Sequence, residues 1–253
     1  AQGSMITPTP PVAPARGCTE RAAALDWGAA TEALHQRGNA LLGPLLDASE
    51  CASLSRLYGS AQASTFRSRV VMQRHGFGQG EYQYFSYPLP GVVAGLREAL
   101  YPHLAPIADQ WNAAMGIGVR YPARHADFIA RCHAAGQVRP TPLLLQYEAG
   151  DYNCLHQDLY GEHVFPLQVA ILLSQPASDF TGGEFVLTEQ RPRMQSRVEV
   201  VPLSRGDAVV FAVHHRPVQG TRGPYRVQMR HGVSRLHSGQ RHTLGIIFHD
   251  ALS

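Results

Sequence analysis

The C-terminal half of the chain, from about residue 141 onward, consists of short strand-like runs that are separated by turn residues. The eight runs are TPLLLQYEAG, CLHQD, FPLQVAILLSQ, GEFVLTEQ, SRVEVVPL, DAVVFAVH, MRHGVSRL and RHTLGIIFHD. No helical pattern interrupts them, and eight successive strands of this kind favour a jelly roll or a β-sandwich. The 24 glycines and 18 prolines supply the turns that such an architecture needs.

Helical patterns dominate the segment before residue 141. Asp26 is placed to cap a helix that ends at Arg37, with Gly38 as its stop, and a short strand is predicted at 39–42. The run DASECASLSRLYG has the spacing of a capping box and predicts a second helix.

A long amphipathic stretch follows, in which apolar residues recur at steps of three and four between Val93 and Met115. Pro102 and Pro106 lie inside it and are predicted to kink or divide the helix. The run RHADFIARCHAAG predicts a shorter helix. Helices early in the chain and strands late predict an α+β layout, with the N-terminal helices packed on one sheet.

These patterns divide the 253 residues into three parts. Residues 1–17 are Pro-rich and are predicted to be a disordered tail, of which residues 1–4 look like a cloning remnant. Residues 18–140 are predicted to form an N-terminal helical region that includes a β-hairpin lid at about 65–90. Residues 141–253 are predicted to form the β core, and the chain is long enough to bury one.

Charge and cysteine content exclude some classes of protein. The net charge is only +3, with 22 arginines and no lysine, so an anionic partner is permitted but not required. The four cysteines form neither a C-x-x-C pair nor a disulfide framework, which indicates reduced thiols. No apolar run has the length of a membrane span and no secretion signal is visible, so we expect a cytoplasmic protein without a membrane partner.

The segment YNCLHQDLYG places His156 and Asp158 two positions apart within the second of the eight runs. Residues i and i+2 of a strand point to the same side, so the imidazole and the carboxylate would project together. A histidine from another strand would complete the 2-His-1-carboxylate triad that is typical of non-haem Fe(II) oxygenases. The alternative is a core histidine that hydrogen-bonds to Asp158.

Among the C-terminal histidines, His231 is the best candidate for the third ligand. It begins a strand-like run in RHGVS, and Gly232 beside it permits close approach of a ligand or of another backbone segment. His214 and His215 fit less well, because the adjoining RPVQGTRG has the composition of an exposed loop. The predicted catalytic metal ligands are therefore His156, Asp158 and His231.

Ten residues after His231, the last strand-like run opens with Arg241. Arg241 and Thr243 share a strand face, where a guanidinium and a hydroxyl together make a receptor for a carboxylate. Tyr147, at the end of the first run, would add a phenol hydrogen bond from the adjacent strand. These three are the predicted cofactor-binding residues. Alternatively, Arg241 is an ordinary surface residue and Tyr147 is simple core packing.

The predicted hairpin carries the best sequence clue to a substrate. Its six candidate residues are Arg67, Arg69, Arg74, His75, Tyr82 and Tyr84. The two strand arginines are predicted to share one face and the two tyrosines another, with Arg74 and His75 at the turn. Arginine for phosphate and tyrosine for stacking would suit a flipped or single-stranded base. An ordinary amphipathic hairpin packed on the core accounts for the same pattern.

The segment from about residue 141 to residue 252 resembles the Fe(II)/2-oxoglutarate-dependent dioxygenases. In that family an H-x-D…H triad binds iron, and a basic residue after the distal histidine anchors the far carboxylate of 2-oxoglutarate. The resemblance gives these roles to His156, Asp158, His231 and Arg241, and it implies Fe(II), 2-oxoglutarate and O2 as metal, cosubstrate and oxidant. It also implies a double-stranded β-helix of the jelly-roll or cupin-like kind.

Three longer segments resemble a bacterial AlkB-related group that is described as oxygenases acting on alkylated DNA. They are LLLQYEAGDYNCLHQDLYG, FTGGEFVLTEQRPR and GQRHTLGIIFHDA. Two departures are visible. Gln146 stands where AlkB-like demethylases usually carry Asn. Those enzymes also carry two arginines farther past the distal histidine, whereas the single Arg241 has a spacing closer to that of prolyl-hydroxylase-like oxygenases.

Three functions are consistent with these residues. The resemblance implies oxidative demethylation of alkylated DNA or nucleobases, a DNA-repair activity that releases succinate, CO2 and formaldehyde. Its partner would be alkylated DNA or single-stranded nucleic acid, and no protein partner is implied. The second function is hydroxylation of a protein side chain or a small metabolite. The third is a cupin-like metal-binding module without catalysis, which iron- and 2-oxoglutarate-dependent succinate release would exclude.

Overall fold

Two β-sheets face each other in the computed structural model, which describes residues 17–60 and 64–253. The predicted tail and its cloning remnant lie outside the described residues, except for Gly17. The described helices are α1 (Cys18–Ala23), α2 (Trp27–Arg37), α3 (Ala48–Leu57), α4 (Gly91–Ala114) and α5 (His125–Ala134). None of them combines the length and the apolar character that a membrane crossing requires.

The described strands run from the N-terminal region to the end of the chain. They are β1 (Asn39–Pro44), β2 (Phe66–Val71), β3 (Gly78–Gln79), β4 (Glu81–Phe85), β5 (Leu143–Glu148), β6 (Tyr152–His156), β7 (Leu167–Leu172), β8 (Phe180–Gly182), β9 (Phe185–Gln190), β10 (Arg197–Val201), β11 (Asp207–Ala212), β12 (His215–Gly220), β13 (Gly223–Val233) and β14 (Leu236–Ile246). A 3-10 turn (Met72–His75) joins β2 to β3.

The larger sheet has the order β1-β11-β7-β14-β5-β4-β2, with β8 paired to β14. Its strand β7 is buried along its whole length, because both faces of the sheet are covered. Val169 and Ile171 belong to the same apolar cluster as residues of α4, whereas Ala170 packs with Phe185 and Phe211 toward the smaller sheet. Helix α4 therefore packs on the face of the larger sheet that is turned away from the smaller sheet, and both α2 and α4 also contact strand β12.

The smaller sheet has the order β10-β9-β13-β6-β3, with β12 paired to β13. The architecture is thus mixed and sheet-rich, which confirms the predicted class at this level. Ten strands rather than eight follow residue 141, since β8 and β12 were not predicted. The expected exposed loop after His215 is wrong: it is strand β12, whose Arg216 is buried and ion-pairs with Glu189 at 2.9 Å.

The helix ends follow the sequence signals closely. The side chain of Asp26 accepts a hydrogen bond from the backbone N–H of Ala29, and Gly38 ends α2 in the left-handed region with φ of 75°. Asp47 and Glu50 form the predicted reciprocal capping box of α3. These local contacts fix where α2 and α3 begin and where α2 ends before tertiary packing is considered.

The long amphipathic stretch forms a single helix, α4, so the predicted division at the prolines is wrong. Pro102 and Pro106 both lie on the exposed face of α4, one helical turn apart. The carbonyls that lose an intrahelical partner there can bond to water. On the opposite face, Leu100, Leu104 and Trp111 are buried against the larger sheet, and that packing holds the helix together.

Strands from the N-terminal region complete the larger sheet at both ends. Strand β1 pairs with β11, and β4 of the predicted hairpin pairs with β5. The short strand β3 pairs with β6 and so joins the hairpin to the smaller sheet as well. The predicted boundary between residues 140 and 141 therefore crosses a continuous sheet.

A buried ion pair ties α4 to the end of the chain. Nη2 of Arg97 lies 2.7 Å from the carboxylate of Asp250, and its Nε donates to the carbonyl of Ile247 at 2.9 Å. The hydroxyl of Tyr87 donates to the second carboxylate oxygen. Because every one of these charges has a close partner, burial of the pair is tolerated.

Candidate metal centre

His156 and His231 face each other across neighbouring antiparallel strands, β6 and β13. Their ring centroids are 4.2 Å apart. A Cβ atom at Gly232 would lie 2.6 Å from the carbonyl oxygen of Asn153, so only glycine lets the two strands approach this closely. The strand pairing therefore brings together two histidines that are separated by 75 residues in the sequence.

Asp158 lies two residues beyond His156, just after β6 ends, and its carboxylate reaches both imidazoles. Oδ2 of Asp158 is 3.0 Å from Nε2 of His231, and Oδ1 is 3.4 Å from Nε2 of His156. One donor atom from each of these residues lies within 4.8 Å of the other two. The structure thus brings the three predicted ligands into one cluster.

Two further side chains hold the carboxylate of Asp158 in place. Nε2 of Gln168 donates to Oδ2 at 3.0 Å, and the hydroxyl of Tyr160 donates to Oδ1 at 3.1 Å. Sequence reasoning missed both residues. Gln168 had a visible signal, since it is the one polar residue in the wholly buried strand LQVAIL. Such a residue needs a buried hydrogen-bond partner.

The cluster keeps its carboxylate ionised. Burial alone would raise the pKa of Asp158, but the adjacent His156 and His231 hold that pKa well below its usual range. Burial opposes protonation of His156, yet the charge of Asp158 outweighs burial and raises the pKa of this imidazole. Burial lowers the pKa of His231. Ionised carboxylate and neutral imidazole are the forms that bind metals.

The donor set fits a divalent transition metal. Nδ1 of His156 donates to the carbonyl of Cys154 at 2.7 Å, so in the neutral ring the lone pair is on Nε2, which faces Asp158. Two acceptor atoms that face each other need a positive charge between them. Ligand atoms about 2.1 Å from one ion lie about 3 Å apart when their bonds are at right angles. The spacing of 3.0 Å between Oδ2 of Asp158 and Nε2 of His231 matches that value.

Arg241 is a buried cation that forms no ion pair within the described part of the chain. Its Nη1 donates to Oγ1 of Thr243 at 2.7 Å, while its Nε has no hydrogen-bond partner there. The rings of Tyr147 and Phe180 flank the guanidinium at 5.8 and 5.7 Å. Burial lowers the pKa of Arg241 to about 10, so it remains charged at neutral pH. A buried, uncompensated guanidinium fits a ligand carboxylate.

One cavity of about 290 Å³ between the two sheets contains both features. The metal-ligand cluster lines it, and so do Arg241, Thr243 and Tyr147. Tyr147 is the cross-strand partner of Arg241, and its hydroxyl accepts a hydrogen bond from Asn153 at 3.0 Å. The arrangement can therefore hold a metal and an anionic ligand side by side.

The two hairpin arginines do not share a face, contrary to the prediction, because β2 has a bulge between Phe66 and Ser68. Arg67 lies over the ring of Tyr84 at 4.5 Å and donates to the carbonyl of Pro140 at 2.7 Å. Arg69 lies on the other side of the sheet and ion-pairs with Glu81. Both guanidinium groups are therefore engaged within the protein.

The two hairpin tyrosines do share a face, with their rings 5.5 Å apart in an edge-to-face arrangement. Tyr82 lines the cavity, and the hydroxyl of Tyr84 lies 2.7 Å from that of Tyr160. Arg74 and His75 are exposed in the 3-10 turn, where His75 stacks on Phe77 at 5.2 Å. Phe77 is half exposed and lines the mouth of the cavity.

Comparison with family models and with known proteins finds sequences that are similar to this chain. A family model described as "Oxygenase, catalysing oxidative methylation of damaged DNA" matches residues 80–251, from β4 to the end of the sheet. Two uncharacterized proteins from different strains of Mycobacterium tuberculosis are each 44% identical over 225 residues. The match covers 89% of this chain and 91% of theirs.

Solved structures share the fold at low identity. An oxidoreductase of the 2OG-Fe(II) oxygenase family from Burkholderia pseudomallei is 16% identical with a TM-score of 0.50, over 89% of this chain and 92% of that chain. A prolyl hydroxylase from Trichoplax adhaerens, solved with a peptide fragment of hypoxia inducible factor, is 13% identical with a TM-score of 0.50, over 91% of each chain.

Proposed function

The chain belongs to the Oxygenase-NA family and is therefore an oxidoreductase, and on that premise we propose that it demethylates alkylated bases in DNA by oxidation. The proposed oxidant is O2, with Fe(II) as the metal and 2-oxoglutarate as the cosubstrate. The observation that carries the proposal is one cavity lined by a 2-His-1-carboxylate cluster and by an uncompensated arginine. The proposed core is a double-stranded β-helix formed mainly by residues 141–253, and residues 18–140 add the strands β1–β4 and the helices to it.

His156, Asp158 and His231 would hold the metal, with Gln168 and Tyr160 orienting the carboxylate. Bound Fe(II) would supply the redox chemistry that activates O2, and 2-oxoglutarate would supply two electrons by oxidative decarboxylation to succinate and CO2. The cavity wall around His231 is apolar, with Phe185 and Phe211 beside the ring, and it limits the access of water.

Arg241 would bind the far carboxylate of 2-oxoglutarate. Its guanidinium has unused donors, and Thr243 holds one of its nitrogens in place. The hydroxyl of Tyr147 already accepts from Asn153, which leaves the Tyr147 proton available to a ligand oxygen. A charge-assisted contact of this kind in a buried site selects a dicarboxylate over a monocarboxylate.

Oxidation of a methylated base removes the methyl group and does not add one. Oxygen insertion into an N–CH3 group gives N–CH2OH, which loses formaldehyde and leaves N–H on the base. Around the mouth of the cavity, Phe77, Tyr82, Leu155 and Leu159 offer neutral surfaces. Aromatic and aliphatic side chains suit the flat face of an extruded base.

Succinate and formaldehyde should be measured together, with Fe(II), 2-oxoglutarate and methylated oligonucleotides. We expect both products in equal amounts, and none from Asp158→Ala, while the exposed Asp127→Ala keeps wild-type activity. A panel of peptides and small metabolites tests the hydroxylase alternative. Succinate formation that peptides stimulate and methylated oligonucleotides do not would reject the proposed substrate.

A further inference from the structure

Strand β13 carries a basic face opposite the metal centre. The buried side chains of β13 are at alternate positions: Val227 and Met229 pack in the apolar cluster that includes α4, and His231 lines the cavity. Since side chains alternate along a strand, Arg226 and Arg230 project from the outer face of the smaller sheet. The same strand therefore presents a metal ligand on one side and two arginines on the other.

Two histidines at the start of β12 join these arginines. His215 is paired with Gln228 of β13, and the rings of His214 and His215 are 3.7 Å apart. Burial lowers the pKa of His214, and the charges of Arg226 and Arg230 lower it further. We call His214, His215, Arg226 and Arg230 the basic patch.

The basic patch has no acidic partner. Within residues 17–60 and 64–253, no carboxylate forms an ion pair with any of its four residues. Arg226 donates to the carbonyl of Met115, and that bond leaves its charge uncompensated. Elsewhere many arginines are engaged: Arg69 ion-pairs with Glu81, for example, and Arg37 lies near Glu199. Two arginines without a counter-charge, beside two imidazoles whose pKa values are lowered, favour an anionic ligand.

The basic patch adjoins residues that line the cavity, among them His231, which follows Arg230 directly in β13. Along one edge, β13 pairs with β12 up to Gln228 and with β6 from His231 onward, so Met229 and Arg230 lie in the gap between the two strands. Gln157 enters this gap and donates to the carbonyl of Met229 at 2.9 Å. Residues 157–160 then line the cavity. A chain bound at Arg230 would therefore lie next to the segment 157–160 that lines the cavity.

We propose that the basic patch binds the phosphodiester backbone of single-stranded DNA and guides a base into the neighbouring cavity. This proposal rests on the proposed function. Guanidinium groups bind phosphate oxygens through paired hydrogen bonds, and a strand that lies over two arginines contacts about two phosphates. The hairpin arginines, by contrast, are engaged within the protein and contribute less.

The test is the salt dependence of binding to a fluorescein-labelled single-stranded oligonucleotide, read by anisotropy. The variant Arg226→Gln/Arg230→Gln removes two charges from the basic patch. The matched control Arg56→Gln/Arg205→Gln removes two charges from a depression beside α3. We expect the slope of log K against log salt to fall by about 1.4 in the first variant, about 0.7 per lost phosphate contact. Its affinity at low salt should fall at least tenfold, and the control should resemble wild type.

The outcomes separate the two proposals. If wild type binds the oligonucleotide and Arg226→Gln/Arg230→Gln has the same slope, the proposal for the basic patch is wrong. The proposed function is unaffected by that result. A wild-type protein that binds the oligonucleotide without salt dependence, or not at all, overturns both. Equal losses in the patch variant and the control show that net charge alone is responsible, and this also overturns the patch. The thermal shift with Mn(II) and 2-oxoglutarate should be unchanged in both variants, which verifies that the cavity is intact.

Discussion

Replacing Arg241 by Met should stabilise the protein in the absence of 2-oxoglutarate and abolish its response to that compound. Methionine keeps most of the apolar stem, which packs near Tyr147 and Phe180, and removes the guanidinium. The two effects have opposite signs because the charge is unfavourable in the empty cavity and necessary for binding a carboxylate.

The size of the first effect follows from burial. Burial lowers the pKa of Arg241 from 12.5 to about 10, and that difference corresponds to about 3 kcal/mol against the charged form. Loss of the hydrogen bond to Thr243 lowers the free energy of unfolding by about 1 kcal/mol, since that hydroxyl is left without its donor. The free energy of unfolding should therefore rise by about 2 kcal/mol, or about 4–8 °C in Tm for a domain of this size.

The size of the second effect follows from the carboxylate contact. Hydrogen bonds between charged groups contribute about 1.5–3 kcal/mol each, so loss of a paired contact should weaken 2-oxoglutarate binding at least 100-fold. Wild-type Tm should rise with added 2-oxoglutarate as mass action requires, and the Tm of the variant should stay constant.

Differential scanning fluorimetry with Mn(II), with and without 2-oxoglutarate, measures both effects in one experiment. Arg222→Met, in the exposed turn between β12 and β13, is the matched control and should behave as wild type. A variant that is less stable than wild type would show that Arg241 is compensated within the protein. A variant that keeps the thermal response to 2-oxoglutarate would remove Arg241 from the cosubstrate site.

Three further predictions address the metal cluster, the ion pair and pH. Gln168→Leu should weaken Mn(II) binding about 10- to 100-fold in calorimetric titration, because Asp158 loses a positioning hydrogen bond; unchanged affinity would deny Gln168 that role. Arg97→Met should lower the free energy of unfolding in urea by about 3–5 kcal/mol, because Asp250 is left as a buried charge, whereas Arg21→Met at a partly exposed pair should cost less than about 1 kcal/mol; similar losses in both would contradict this reasoning. Burial lowers the pKa of His125 to about 3. Between that pH and about 6.5 the unfolded chain binds one more proton than the folded chain, so the free energy of unfolding decreases as the pH falls. From pH 7 to pH 5 this group should account for about 2 kcal/mol, and His125→Phe should remove that part of the slope in urea titrations at several pH values; an identical slope in the variant would mean that His125 is protonated in the folded state.

Part of the metal cluster was accessible from the sequence because its first two ligands are close together in the chain. His156 is the last residue of β6 and Asp158 follows two residues later, so their proximity depends on the local backbone alone. The approach of His231 depends on pairing between β6 and β13, for which Gly232 was a visible hint. The partners of Asp158 were not accessible, because which residue faces Gln168 depends on how the two sheets pack.

Two wrong predictions have the same physical origin. Strand β12 has the composition of an exposed loop, yet its Arg216 is buried with a charge partner from β9, a pairing that composition cannot show. In the hairpin, one extra residue at the bulge moves Arg67 to the side opposite Arg69. A long-range ion pair buries a residue whose polarity predicts exposure, and a bulge reverses the strand face that simple alternation predicts.

The strands that complete the larger sheet at its two ends come from the first 140 residues. A fragment that begins at residue 141 would leave β11 without β1 and β5 without β4, and each would present a row of unpaired amide and carbonyl groups. Such open margins recruit strands from other molecules. A fragment of residues 141–253 should therefore aggregate, even though it retains every proposed metal ligand.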